Sequence, residues 1–256
     1  MTNIGVIPVR MSSSRFPGKP LKKILNIPML AHIFERSRLS KKLDLIYVAT
    51  CDQEILNYCK KIGANCVLTK KNHERASDRV EEAINKIEKL EKTNFKHIIM
   101  IQGDEPLVTP EMIDLSLKYL KKDKEEVTNL CAFVNNENDW KNKNIIKILK
   151  NKKDIAIYFS RQNMPHMSRF RDKVALRQIC IIGFSKKMLK RFSSLQPTNL
   201  EIEESIDMNR FVENNIPIKL IFTNENPFPV DTRQDIERVS KLMLKDNLFK
   251  IYKNKY

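Results

Sequence analysis

The 256-residue chain is poor in glycine, with five in all, and holds a single tryptophan and four histidines. Scarce glycine excludes a dinucleotide fingerprint, which needs three glycines where only Gly18 follows the first strand. A Walker-type loop is excluded as well, because Lys19 is followed by Pro20 rather than Ser or Thr. The five cysteines, at 51, 59, 66, 131 and 180, never form CxxC, and the histidines at 32, 73, 97 and 166 lie far apart, so no structural zinc site is expected. No apolar run approaches the length of a membrane span, and no charged-then-apolar leader precedes the first strand. These absences point to a reduced, cytoplasmic protein with no membrane insertion.

Charge is plentiful, at a net +16. The lysines are spread over nearly every expected helix and loop, and no basic stripe interleaved with aromatics occurs, which favours a solvated lysine-rich surface over a nucleic-acid partner. The length suits a single α/β domain carrying a smaller inserted lobe.

The apolar pattern alternates. A buried strand ending at Val9 is followed by a helix with Met29, Leu30, Ile33 and Phe34 on one face, the strand "LIYVAT" at 45–50, the helix "DQEILNYCKKIG", the strand "NCVLT" at 65–69, a helix from Val80, and the strand "HIIMI". Such βα alternation demands a doubly wound, mainly parallel sheet with helices on both faces. Beyond about residue 125, "VTNLCAFV", "IIKIL", "IAIYFS" and "RQICIIGF" read as strands with few helices between them, an expected antiparallel lobe. Helices return at 185–192 and 200–213, and a last one starts near 233.

Chemistry gathers at three strand ends. "VIPVRMSSSRFPGKPL" places Arg10, Arg15, Lys19, three serines and Gly18 where open α/β sheets keep ligands, a set suited to phosphate. "QGDEP" offers Asp104 at the end of the strand "IIMI", and "VDT" offers Asp231 after "IKLIF". Two strand-end carboxylates can hold Mg²⁺ against phosphate oxygens while Arg10 and Lys19 neutralise the remaining charge, a grouping that fits phosphoryl or nucleotidyl transfer. The alternatives are solvated loop cations, Asp104 and Glu105 as exposed turn caps, and Asp231 as the N-cap of the last helix.

In this order, "PVRMSSSRFPGKPL", "VATCDQEI", "ERASDRV", "IQGDEPLV", "IYFSRQNMP", "TNLEIEESID" and "PVDTRQDIERV" closely resemble the 3-deoxy-manno-octulosonate cytidylyltransferases, or CMP-Kdo synthetases. The likeness runs from about residue 4 to 243 and leaves out only the tail "KDNLFKIYKNKY". It implies a Rossmann-like nucleotide-diphospho-sugar transferase fold in one domain over residues 1–256, with a sugar-binding and dimerisation lobe at about 128–215. It also implies CTP and an acidic eight-carbon sugar as substrates, Mg²⁺ as cofactor and a homodimer. By the same resemblance Arg10 and Lys19 would hold the triphosphate, supported by Ser12, Ser13 and Arg15. Arg79 and Gln102 would recognise cytosine and ribose, Asp104 and Asp231 would carry the metal, and Arg161 would bind the sugar acid.

Departures from the family pattern concentrate in the sugar half. "RQICIIGF" stands where "RHLGIYGY" is typical, putting Gln178 in place of His, and "IDMNR" stands for "LEQLR", putting Asp207 and Met208 in place of Glu and Gln. A lost amide removes a partner for a sugar hydroxyl, so the expected acceptor is Kdo or a close variant, with a variant altered near its terminal carbons preferred and plain Kdo used inefficiently. An amino-Kdo or a nonulosonic acid stays open at this point, as does a basic anion-binding protein without catalysis.

Overall fold

The computed structural model describes residues 2–12, 16–122, 126–225 and 227–256. The first half runs β1 (Thr2–Val9), the short hairpin β2 (Lys23–Ile24) and β3 (Ile27–Pro28), α1 (Met29–Ser37), β4 (Leu45–Thr50), α2 (Gln53–Ile62), β5 (Cys66–Leu68), α3 (Ala76–Glu91), β6 (Phe95–Ile101) and α4 (Pro110–Lys122). The second runs β7 (Val127–Phe133), α5 (Glu137–Lys141), β8 (Lys147–Lys150), β9 (Ala156–Ser160), β10 (Leu176–Ser185), α6 (Lys186–Ser194), α7 (Asn199–Glu204), α8 (Asn209–Glu213), β11 (Lys219–Phe222), α9 (Arg233–Leu244) and α10 (Asn247–Tyr252).

Among the described residues nine strands join one sheet, in the order β11-β7-β10-β6-β1-β4-β5, with β8 attached to β10 and β9 to β8. The pairs β1·β4, β1·β6, β4·β5 and β7·β11 are parallel, while β10 runs antiparallel to both β6 and β7. All of β1 but its first residue is buried, and β6 is buried at every residue but Lys96, the near-continuous apolar pattern of strands covered on both faces. One face packs Ile7, Leu30, Ile33, Ile113 and Leu117, and the other packs Val80, Ala83, Ile84 and Ile87 of α3 with Phe184 and Phe211. Each fully buried Val, Leu, Ile or Phe side chain among them contributes about 1.5–3 kcal/mol.

The strand-rich segment after residue 125 is woven into this sheet. β10 lies between β6 and β7, so the antiparallel element is central, and only the β8–β9 pair hangs from it. The single helix expected over 200–213 is two helices, α7 and α8, separated at Ser205, whose φ of 53° ends the first. The tail outside the family resemblance is also structured. Its α10 closes over α1, with the Tyr252 hydroxyl 2.8 Å from His32 Nδ1 and accepting from Arg36 Nε at 3.0 Å, and with Arg36 Nη2 2.6 Å from Asp246. Arg36 and His32 are fully buried, and burial pushes the His32 imidazole down to about 4, so the ring is neutral at pH 7.

The chain leaves β1 for β4 on one side and returns to β6 on the other, which opens a crevice beyond their carboxyl ends.

Candidate active site

A cleft of about 580 Å³ fills that crevice. Arg10 is the first residue beyond β1 and donates from Nη1 to the His73 carbonyl at 3.4 Å. The loop after it is pinned at both ends. The Met11 N–H donates to Asp52 Oδ2 at 2.8 Å, and the Gly18 N–H donates back to the Met11 carbonyl at 3.0 Å. Gly18 has φ 71°, a left-handed conformation that glycine adopts without steric cost, and it starts a short 3₁₀ turn, Lys19–Leu21, that brings Lys19 to the cleft. Ser12 lines the cleft, whereas Ser13 and Arg15 lie outside the described residues.

Lys19 joins the two acids, Asp104 in the turn after β6 and Asp231, which lies in the turn before α9 and not, as expected, at the end of β11. Its ammonium donates to Asp104 Oδ2 at 3.1 Å and to the Val230 carbonyl at 2.8 Å, and stands 3.5 Å from Asp231 Oδ1. The Val230 N–H donates in turn to the Asp104 carbonyl at 2.9 Å, locking the two acidic turns together. Asp231 is not a helix cap. Thr232 is the N-cap of α9, and the Asp235 carboxylate accepts from the N–H groups of both Asp231 and Thr232, leaving the Asp231 carboxylate to face Lys19.

The QGDEP turn is held against its neighbours. Gly103 crosses β1 so closely that a Cβ would overlap the Val9 side chain and lie 2.8 Å from the Pro8 carbonyl. The Gln102 N–H donates to the Cys180 carbonyl at 3.1 Å, and the Cys180 N–H donates to Glu105 Oε1 at 3.0 Å, at the bulge where β10 shifts register. Glu105 is therefore no exposed cap. It is 2% exposed, and burial pushes its carboxyl up to about 7.

The far side of the cleft is built from α7, α8 and the chain around β8 and β9. Arg161, just after β9, donates from its backbone N–H to Glu204 Oε2 at 2.8 Å, from Nε to the Glu204 carbonyl at 2.9 Å and from Nη1 to the Lys143 carbonyl at 3.3 Å. Lys147 is buried beneath it and donates to the carbonyls of Asn142, Ile145 and Arg161 at 2.8, 2.7 and 3.2 Å, fixing the loop that brings Lys143 and Asn144 to the rim. Burial pushes the Lys147 ammonium down to about 8. Asp207 lines the cleft while Oδ2 accepts from the N–H and hydroxyl of Ser77 at 3.0 and 2.8 Å, so it serves the first turn of α3, and burial raises its pKa.

Arg79 lines the opposite wall, but its guanidinium holds the preceding loop, donating to Thr69 Oγ1 at 2.5 Å and to the carbonyls of Lys70 and His73 at 3.4 and 3.5 Å. Two expected sugar contacts are corrected. Met208 is fully buried in the apolar cluster with Ile206 and Phe211, because it occupies the inward position where α8 begins. Gln178 is 6% exposed and donates to Asn129 Oδ1 at 2.6 Å within the sheet layer. Neither lines the cleft, so the argument for an altered acceptor loses the residues it rested on. In their place the cleft presents His73, Arg75, Lys143, Asn144 and Ser205. No strand-end or spacing signal marks these five, although Arg75 lies inside the quoted "ERASDRV" motif.

A cytidylyltransferase family model matches residues 4–221. The chain is 35% identical over 251 residues to the 3-deoxy-manno-octulosonate cytidylyltransferase of Thermodesulfovibrio yellowstonii, covering 95% of this chain and 98% of that protein. It is 36% identical over 248 residues to the mitochondrial enzyme of that name from Arabidopsis thaliana, covering 96% and 84%. The solved structure of a CMP:2-keto-3-deoxy-manno-octonic acid synthetase complexed with CTP superposes with a TM-score of 0.84 at 27% identity, covering 96% of this chain and 99% of that one. With its sheet order, its acid-and-lysine cluster and its full-length kinship in agreement, the chain belongs to the 3-deoxy-manno-octulosonate cytidylyltransferase family and is a nucleotidyltransferase.

Proposed function

We propose that this protein couples CTP to the anomeric hydroxyl of 3-deoxy-manno-octulosonate, giving CMP-sugar and pyrophosphate. The observation that carries the reading is a single cleft lined by Lys19 and Asp104, with Asp231 behind Lys19 at 3.5 Å, while Arg161 stands at the far rim. In this reading Arg10 and Lys19, with Ser12 beside them, bind the triphosphate. Gln102 lies along the nucleotide, and Arg79 shapes the loop over the base. Arg161 meets the acceptor carboxylate, which a guanidinium matches in parallel hydrogen bonds. The acceptor hydroxyl attacks the α-phosphorus in line and pyrophosphate departs, so the protein's work is to position the reactants and neutralise charge.

The donor set at Lys19 fits Mg²⁺. Two carboxylates already converge on one cationic atom, and this metal is commonly held by one or two carboxylates together with substrate phosphates. Asp104 and Asp231 would hold it, and when bound it supplies Lewis-acid stabilisation of charge on phosphate oxygens. With the acids so engaged, the Lys19 ammonium would be available to the nucleotide phosphates.

We read the assembly as a homodimer formed through the region of β8 and β9. Support comes from β9, an edge strand whose Ile157 is 51% exposed, a liability that a partner would cover. A cytoplasmic setting suits the five cysteines, all of them free thiols. Among the described residues no helix is long and apolar enough to cross a membrane.

The test is pyrophosphate release from CTP and Mg²⁺ across a panel of sugar acids, with 3-deoxy-manno-octulosonate expected to give the highest kcat/KM. Release that is independent of any acid, or no release at all, overturns the reading. Sedimentation at micromolar concentration is expected to show a dimer, and a strictly monomeric profile removes the assembly proposal alone.

A further inference from the structure

Two guanidiniums meet at the end of α7. The carbonyls in the last turn of an α-helix are open to donors from outside, and that of Glu201 takes one in addition to the Ser205 and Ile206 N–H groups. Here Arg75 Nη2 donates to the Glu201 carbonyl at 3.1 Å, and Arg161 Nε donates to the Glu204 carbonyl at 2.9 Å. The two arginines come from distant parts of the chain, one at the entrance to α3 and the other after β9, yet both line the same cleft.

Arg75 is oriented by a buried network. Its Nε donates to Glu201 Oε1 at 3.0 Å and its Nη1 to Ser205 Oγ at 3.0 Å. The Glu201 side chain is fully buried and is already gripped by Arg210, whose Nε and Nη2 donate to Oε2 and Oε1 at 2.7 and 2.6 Å. Arg210 is itself held by Asp78 at 3.1 and 3.2 Å and by the Phe192 ring 4.0 Å away. With Glu201 neutralised by this bidentate pair, its further bond to Arg75 orients that side chain more than it discharges it. A guanidinium carries five N–H groups, so after these three bonds each Nη of Arg75 keeps one N–H, on a side chain that is still 14% exposed.

The anchorage of this group differs from that of the triphosphate cations. Arg10 donates to the His73 carbonyl, in the loop that also carries Arg75, and Lys19 donates to Asp104 and Val230, whereas the Arg75 guanidinium is fastened to Glu201 and Ser205 on the wall that carries Arg161. We propose that Arg75 is a second acceptor-binding residue, acting with Arg161 across the end of α7 to select an acidic acceptor. The proposal rests on the cytidylyltransfer reading above and adds a specificity determinant to it.

The experiment measures pyrophosphate release by Arg75→Gln and Arg75→Lys at saturating CTP with varied 3-deoxy-manno-octulosonate, and at saturating acid with varied CTP. Arg75→Gln is expected to raise the acceptor KM roughly tenfold to a hundredfold, with the KM for CTP unchanged and Arg75→Lys in between. An unchanged acceptor KM, or an equal rise in both KM values, overturns the proposal. Should either variant fail to fold, wild-type protein treated with phenylglyoxal and mapped by mass spectrometry decides. The acid, and not CTP alone, is expected to protect Arg75, and modification at an equal rate with and without the acid overturns the assignment. Failure of wild-type turnover with every acid overturns both readings, whereas normal wild-type turnover with an indifferent Arg75→Gln overturns only this one.

Discussion

The nucleotide half of the cleft stands on strand ends, whereas the acceptor half is assembled from a helix end, a buried lysine and loops. Arg10 and Asp104 follow the apolar strands β1 and β6, and the turn carrying Asp231 is tied to that of Asp104 by the Val230 N–H. Arg75, Lys143, Arg161, Ser205 and Asp207 come from separate elements and are placed by side-chain bonds to Glu201, Glu204 and Ser77. A sheet fixes its strand ends once its register is set, so that half tolerates little rearrangement. The acceptor half depends on individual polar contacts, and substitutions can retune it one at a time.

The largest effect is expected at the paired acids. Asp104→Ala or Asp231→Ala should lower kcat by about 10³-fold with an unchanged circular dichroism spectrum, the scale on which charge stabilisation acts in the transition state. Near-normal turnover in either folded variant would break the idea that the strand-end half carries the chemistry. Next, Lys19→Met should weaken CTP binding roughly a hundredfold while sparing the acceptor, because one ammonium answers the phosphates. Calorimetry with equal CTP affinity would remove Lys19 from that role. On the other side, Arg161→Gln should raise the acceptor KM about tenfold to a hundredfold and leave CTP binding alone. A matching loss of CTP affinity would erase the division into halves. The smallest functional effect belongs to Met208→Gln, which should cost about 1–3 kcal/mol of stability by burying an amide among apolar side chains. Its acceptor preference should stay as it was, and an altered preference would return Met208 to the cleft.

This division also explains what was legible in the sequence. A strand leaves a continuous apolar run and its end is marked by the first polar residues, so β1, β4, β6 and the acids beyond them could be read directly. The central place of β10 was not legible because pairing order is a tertiary property. The apolar run of β10 is equally compatible with an edge and with the centre of a sheet, and its place between β6 and β7 is set by long-range contacts. Met208 was misassigned for a related reason. It was placed at the acceptor by its match to the family pattern, and a pattern match does not say which way a side chain turns after the break at Ser205. Arg75 went unnoticed because its partners, Glu201 and Ser205, are 126 and 130 residues away.

The closure of α10 over α1 bears on the order of events during synthesis. Arg36 belongs to the first helix made, yet the hydroxyl that receives its Nε lies 216 residues later and its carboxylate partner lies 210 residues later. Until Asp246 and Tyr252 emerge, the guanidinium has to stay in water, and the side of α1 that faces α10 cannot be sealed. The β1–α1–β4 layer can collapse early on its sheet side, but the outer side of α1 is completed only after the rest of the sheet has been translated. Folding of this enzyme is thus held open at its first helix and finished by residues that lie outside its catalytic cleft.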